Sequence, residues 1–195
     1  ITIDEITIVR EGREIIYDYS EQIPAGSITV IIGPNGCGKS TLLAAIAGDI
    51  APDKGTITID DWHPALTSAE KLSEIRAMAS QNQGFTLGFT VREIVEMGGK
   101  SVGVLAELGL TEIADRLVTT LSGGEAQRVE IARALIRNSE IYLLDEPLSA
   151  QDTASRIRAI ELFKKLRSQG KIVLIVTHSD ENALDWCDHI FDLGA

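Results

Sequence analysis

The sequence has little of what would tie a chain to a membrane, a nucleic acid or a disulfide scaffold. It contains only two cysteines, Cys37 and Cys187. They give neither a disulfide framework nor metal-ligand spacing, and a thiol inside a glycine-rich loop suits a reducing, cytosolic compartment. No uninterrupted apolar run approaches the roughly 18 residues that a spanning helix needs, so direct membrane insertion is not expected. The charged start Ile1-Thr-Ile-Asp-Glu5 does not read as a signal peptide. Basic residues are also scarce, with 18 Lys and Arg against 29 Asp and Glu, a formal net charge of −11 and a pI near 4.7. Such a surface disfavours nucleic acid as the main partner. There is no internal repeat or low-complexity segment, which excludes a solenoid.

The 195 residues are 44 % hydrophobic and 24 % charged, enough for one substantial globular core, with room for a small subdomain. The stretch Gly33-Pro34-Asn35-Gly36-Cys37-Gly38-Lys39-Ser40-Thr41 fits the pattern G-x-x-x-x-G-K-[ST] without a mismatch. An apolar run, residues 28 to 32, precedes it, and a helix-like segment closed by Gly48 follows. This strand, loop and helix order is the context a phosphate-binding P-loop requires. Glycines turn the backbone so that consecutive N–H groups face phosphate oxygens, beside a helix N-terminus that favours an anion. Lys39 supplies a charge for the β- and γ-phosphates, and the Ser40 hydroxyl can ligate Mg²⁺. Cys37 occupies an unrestricted position of the motif, so only its backbone is counted in the site.

Residues 2–9 and 13–19 alternate apolar and polar in part, with Ile3, Ile6 and Ile8 in the first run and Ile15, Tyr17 and Tyr19 in the second. This predicts antiparallel strands turning at Gly12, and Thr56 to Ile59 predicts another short strand. A helix over 66–74 and a strand over 75–79 lead to the polar turn Ser80-Gln81-Asn82-Gln83-Gly84. On its own that turn reads as an ordinary surface loop. Three short amphipathic pieces follow, over 91–97, 102–108 and 112–117. Leu121-Ser-Gly-Gly-Glu125 then opens a longer helix. Ser122, Gly123 and Gly124 at its start read either as a second anion site or as a serine N-cap with glycines that let the chain turn.

Residues 141–144 form a continuous apolar run that delivers Asp145 and Glu146 to the ligand edge of a parallel sheet. There Asp145 can hold Mg²⁺, and Glu146 can orient or deprotonate an attacking water. A helix over 153–169, with Ile157, Ile160, Phe163 and Leu166 inward, stops at Gly170. The strand 171–176 ends in Thr177-His178, and a last short strand covers 190–193. The element order predicts an α/β fold in which helices flank a mainly parallel sheet. One P-loop but two helix-N-terminal anion sites favours a head-to-tail dimer, with nucleotide between the P-loop of one copy and Ser122 to Gly124 of the other.

Over residues 3 to 193 the chain resembles the ATPase subunit of ATP-binding cassette (ABC) transporters. Gly33 to Ser40 is similar to the Walker A motif, Gln81 to the Q-loop, Leu121 to Glu125 to the signature, Ile141 to Glu146 to Walker B, Ser149 to Asp152 to the D-loop and His178 to the H-loop. All six stand in the family's order. The resemblance implies one P-loop NTPase domain over 1–195, with an N-terminal antiparallel β subdomain and a shortened helical insert at about 84–137. It implies ATP and Mg²⁺ as cofactors, a second ATPase protomer, and membrane permease subunits docked through the insert and Q-loop. It further implies that Gln81 senses Mg²⁺ and the attacking water, that Ser122 contacts the partner's γ-phosphate, that Asp152 couples the two sites and that His178 clamps the γ-phosphate. The segments 75–81, 88–98 and 121–128 are similar to importers of haem, iron-siderophore complexes and cobalamin, with haem the narrow expectation.

Three departures stand out. Arg10 occupies the position where the family stacks an aromatic residue on adenine, and an arginine plane can also stack. The insert is short, and the D-loop reads Ser-Ala-Gln-Asp. The competing readings are a soluble ABC ATPase of a non-transport assembly, such as iron-sulfur cluster delivery, and a P-loop nucleotide kinase. The kinase reading leaves Leu121 to Glu125 unexplained.

Overall fold

The computed structural model describes residues 1–80, 88–99, 103–178 and 184–194. Gln81, expected to sense the metal, lies outside these described residues. Two sheets organise the chain. The smaller is antiparallel, in the order β2 (Arg13–Gln22), β1 (Thr2–Arg10), β4 (Lys54–Thr58). The larger is parallel, in the order β5 (Arg76–Ala79), β6 (Ile141–Asp145), β7 (Ile172–Val176), β3 (Ile28–Ile32), β8 (His189–Asp192).

Strands β3, β6 and β7 are near-continuous Ile, Leu and Val because both of their faces are covered. Their alternate residues enter two separate cores. Ile31, Leu143 and Leu174 pack with Leu42, Leu43 and Ile46 of helix α1 (Lys39–Ala47) and with Ile6 and Ile8 of β1. Val30, Leu144 and Ile175 pack on the other face with Val129 and Ile131 of α5 (Gly123–Leu135) and Phe163 of α6 (Thr153–Ser168). Each fully buried aliphatic side chain contributes roughly 1.5–3 kcal/mol of transfer free energy. The pairing of Ile31 with Val176, and of Asp145 with Val176, brings the C-terminal ends of β3, β6 and β7 to one edge. The P-loop, the two carboxylates and Thr177-His178 all leave from that edge.

Between β4 and α5 the chain forms α2 (Ala69–Ile75) ahead of β5, then α3 (Val91–Glu96) and α4 (Val104–Glu107) after it. Thr90 and Glu93 close a reciprocal capping box on α3, and Ser68 caps α2. The helix expected over 112–117 is only a 3-10 turn, Thr111–Ile113. Past it Leu117 bridges antiparallel to Thr90 at the start of α3, with the Val118 amide donating to the Phe89 carbonyl at 2.9 Å and the Val91 amide to that of Arg116 at 3.0 Å, before a second 3-10 turn over Val118–Thr120.

Two inward faces differ from expectation. In β2 the core residue is Ile16, whereas Tyr17 is 70 % exposed. Irregular register between β1 and β2, with Glu5 and Asp18 at positive φ, shifts the parity of the alternation. In α6 the inward stripe is Ser155, Ala159, Leu162 and Phe163, and Ile157 is exposed. The Arg128 guanidinium donates to the Ser155 hydroxyl at 2.8 Å, so the face turned toward α5 begins at Ser155.

Candidate functional site

The loop between β3 and α1 bends through glycines that nothing larger replaces at two points. Gly38, at φ 106, caps α1, and a Cβ there would lie 2.9 Å from Ile15 Cγ2 and 3.1 Å from the Ile15 carbonyl oxygen. A Cβ on Gly33 would meet the Cys37 sulfur at 2.7 Å. The Lys39 side chain crosses the loop, and its Nζ donates to the carbonyls of Gly33 at 2.7 Å and Pro34 at 3.0 Å. An open cleft of about 410 Å³ results. Asn35, Gly36 and Gly38 to Thr41 form one wall, Ile15 lies beside them, and Asp145, Glu146 and His178 stand across it.

Asp145 ends β6 and is hydrogen-bonded by the Ser40 hydroxyl. Burial pushes its carboxyl above the ordinary aspartate range; the Ser40 bond opposes the shift, Glu146 adds to it and Lys39 opposes it. Glu146 is buried and sits at φ 51, a left-handed conformation that costs about 1–3 kcal/mol for such a residue. Its amide donates to the Val176 carbonyl at 2.9 Å, which ties it to β7. Its carboxylate accepts from the Thr177 hydroxyl at 3.2 Å and lies 2.8 Å from His178 Nδ1. Ser40 and Asp145 present hard oxygen donors beside a loop shaped for phosphate, a set that suits Mg²⁺ when phosphate oxygens and water complete the shell. Among the described residues no group of three or more His, Cys, Asp or Glu could hold a metal by itself.

Ser122, Gly123, Gly124 and Asp152 do not line this cleft. Ser122 caps α5 in a reciprocal box: its amide donates to the Glu125 carboxylate at 2.7 Å, and its hydroxyl accepts the Glu125 amide at 3.3 Å. Gly124 lets the start of α5 pack on the segment after Glu146, because a Cβ there would fall 2.6 Å from the Ala150 carbonyl oxygen. Asp152 caps α6, accepting from the Ser155 amide and hydroxyl at 2.9 Å each, and these bonds hold its carboxyl below the usual range.

Arg10, the expected stacking residue, is exposed at the tip of the β1–β2 hairpin, and its guanidinium donates to the Val9 carbonyl at 2.8 Å. Ile15 of β2 lies against the loop instead. Sequence reasoning gave no role to Ile15 at the cleft, to Thr177, or to Gln127 of α5, which bonds to the backbone of Glu146. The first was hidden by the shifted parity of β2. The other two are ordinary polar residues whose partners are distant in sequence.

A P-loop facing strand-end carboxylates across a cleft at one edge of a parallel sheet is the arrangement of a P-loop nucleotide hydrolase. The chain belongs to the ABC transporter family: the family description "ABC transporter" matches residues 16–149. It is 34 % identical over 201 residues to a hemin import ATP-binding protein of Rhodococcus jostii, covering 96 % of this chain and 69 % of that protein. It is 38 % identical to a cobalamin import ATP-binding protein of Halobacterium salinarum, over 92 % of this chain and 49 % of that one. A manganese transport system ATP-binding protein of Listeria innocua is 34 % identical over 100 % of this chain and 86 % of its own length. Among solved structures, a dimeric ATP-binding cassette in a post-hydrolysis state with ADP and Pi superposes with a TM-score of 0.85. It is 30 % identical, over 99 % of this chain and 94 % of that one. The chain is therefore a transport-coupled ATPase that binds and hydrolyses ATP.

Proposed function

We propose that this chain energises a membrane importer, with haem or an iron chelate as the imported solute, and that it works as a head-to-tail dimer. The observation that carries the dimer is the separation of two half-sites within one chain. Lys39, Asp145, Glu146 and His178 share a cleft, while Ser122 to Gly124 open elsewhere with their glycines at a helix start. Only a second copy can bring the two together over one nucleotide. In this reading Gly33 to Thr41 cradle the phosphates, Lys39 and His178 contact the γ-phosphate, and Glu146 orients and deprotonates the attacking water. Ser40 and Asp145, with Gln81, would hold Mg²⁺, which when bound would supply positive charge at the β- and γ-phosphates. Asp152 couples the two sites, and the helical stretch at about 84–137 meets permease subunits at the cytoplasmic face of the membrane.

The names of the hemin and cobalamin relatives support an iron or tetrapyrrole solute, and the manganese relative sets the competitor. Two measurements test the reading. Glu146→Gln should keep ATP binding, lose most turnover and elute as an ATP-dependent dimer in size-exclusion chromatography. A wild-type protein that is active only as a monomer rejects the dimer. With the co-purified permease in proteoliposomes, haem should stimulate hydrolysis more than cobalamin or manganese; the reverse order rejects the solute.

A further inference from the structure

The Glu146 backbone is held in a costly conformation, and one of the groups holding it comes from another part of the chain. Its carbonyl oxygen accepts the Ser149 amide at 3.3 Å and the Ser149 hydroxyl at 3.0 Å. It also accepts the side-chain amide of Gln127, on the second turn of α5. The Gln127 carboxamide makes two further bonds to the same segment: its Nε2 donates to the Ser149 hydroxyl at 3.1 Å, and its Oε1 accepts the Ala150 amide at 3.2 Å. One half-buried side chain thus engages three groups of the turn that follows β6. Backbone packing reinforces the join, since Gly124 approaches the Ala150 carbonyl too closely for any Cβ. The start of α5 and the turn 146–150 are therefore fastened by bonds and by shape.

We propose that Gln127 is a positioning residue for Glu146. It transmits the placement of the Ser122 end of α5 to the carboxylate of the same chain. This rests on the dimeric ATPase reading above, in which Ser122 serves the partner's nucleotide while Glu146 serves its own. Ser122 and Gln127 lie on one helix, within two turns of each other. When nucleotide in the partner's site fixes Ser122, the helix start is fixed, and Gln127 carries that constraint to the Glu146 carbonyl. The left-handed backbone at Glu146 then stays in the conformation that aims its carboxylate at Thr177, His178 and the cleft. The two sites of the dimer are linked through the chain interior as well as across the interface. Gln127 does not itself line the cleft, so its contribution is confined to geometry. A displacement of about 1 Å at a reacting group lowers rates by up to about a hundredfold.

The test compares Gln127→Ala and Gln127→Glu with wild type in the full chain. Glutamate keeps the length and the acceptor for Ala150 but has no amide donor for the Glu146 carbonyl. Both variants should lose between about tenfold and a hundredfold in kcat. Equilibrium ATP binding should be unchanged, because no atom of Gln127 lines the cleft. Placed on Glu146→Gln, each should still give the ATP-dependent dimer. Wild-type turnover in both variants overturns the proposal. So does a turnover loss matched by an equal loss of ATP affinity, or one that follows the unfolded fraction in thermal melts. Glu146→Gln that never dimerises overturns the dimeric reading and this inference with it, whereas dimerisation together with full turnover in the Gln127 variants overturns this inference alone.

Discussion

His178 Nδ1 lies 2.8 Å from Glu146 Oε1, while the Thr177 hydroxyl takes the other carboxylate oxygen at 3.2 Å. Two consecutive residues past the end of β7 thus hold both oxygens of a carboxylate delivered by β6. When Glu146 is ionised its carboxylate only accepts, and the contact then requires the imidazole hydrogen on Nδ1. This leaves Nε2 as the ring nitrogen for any further contact.

His178→Ala should therefore lower kcat by about a hundredfold through loss of orientation at Glu146, with a smaller loss of ATP affinity from the missing γ-phosphate contact. Paired measurements of turnover and equilibrium ATP binding check this. Equal losses in both would mean that the ring serves nucleotide binding alone.

Lys39→Ala should act on binding itself. The change removes a charge and also frees two loop carbonyls, those of Gly33 and Pro34, that the ammonium now bridges. Losing charge-assisted bonds of about 1.5–3 kcal/mol weakens ATP binding by roughly ten- to a hundredfold. Calorimetry on the isolated variant reads this directly, and unchanged affinity would reject the P-loop assignment.

The two signature glycines should differ in the absence of nucleotide. Gly124→Ala drives a Cβ to 2.6 Å from the Ala150 carbonyl oxygen, whereas a Cβ on Gly123 comes no closer than 4.0 Å to the Ala150 side chain. Overpacking of this kind costs about 1–3 kcal/mol. Gly124→Ala should lower the melting temperature of the nucleotide-free protein, and Gly123→Ala should leave it near wild type. Identical melting of both variants would contradict the close packing described.

Glu130 gives a pH-dependent prediction. Its side chain is 10 % exposed, and burial raises its pKa against the opposing effect of the Arg133 guanidinium, which bonds both its oxygens. A carboxyl whose folded pKa lies above its unfolded value contributes stability fully below the unfolded pKa, and loses it as pH rises through the folded one. Glu130→Gln has no proton to lose there. Its melting temperature relative to wild type should rise from about pH 4.5 toward neutrality. A relative fall over that interval would reverse the assignment.

Much of the site was legible because its parts are local. The P-loop, Asp145-Glu146 and His178 each follow a short apolar strand, and the parallel register gathers strand ends without further information. The antiparallel part was read less well: positive φ at Glu5 and Asp18 breaks the alternation, so Ile16 rather than Tyr17 points inward and Ile15 is left beside the loop. The exposure of Ile157 and the reach of Gln127 depend on α5 meeting α6 and the turn after β6. Those contacts join positions more than twenty residues apart in some cases, and no local pattern encodes them.

The order of strands in the parallel sheet constrains when the chain can become active during synthesis. Among the described residues the P-loop strand β3 pairs with β7 and β8, and both come from beyond residue 171. β6 likewise reaches β3 only through β7. A growing chain that has already made its Lys39 and its Glu146 still has no strand to hold them at a common edge. Long-range parallel pairing of this kind forms slowly and late. Assembly of the ATP-binding edge therefore waits for β7 and β8, which follow both Lys39 and Glu146 in the sequence.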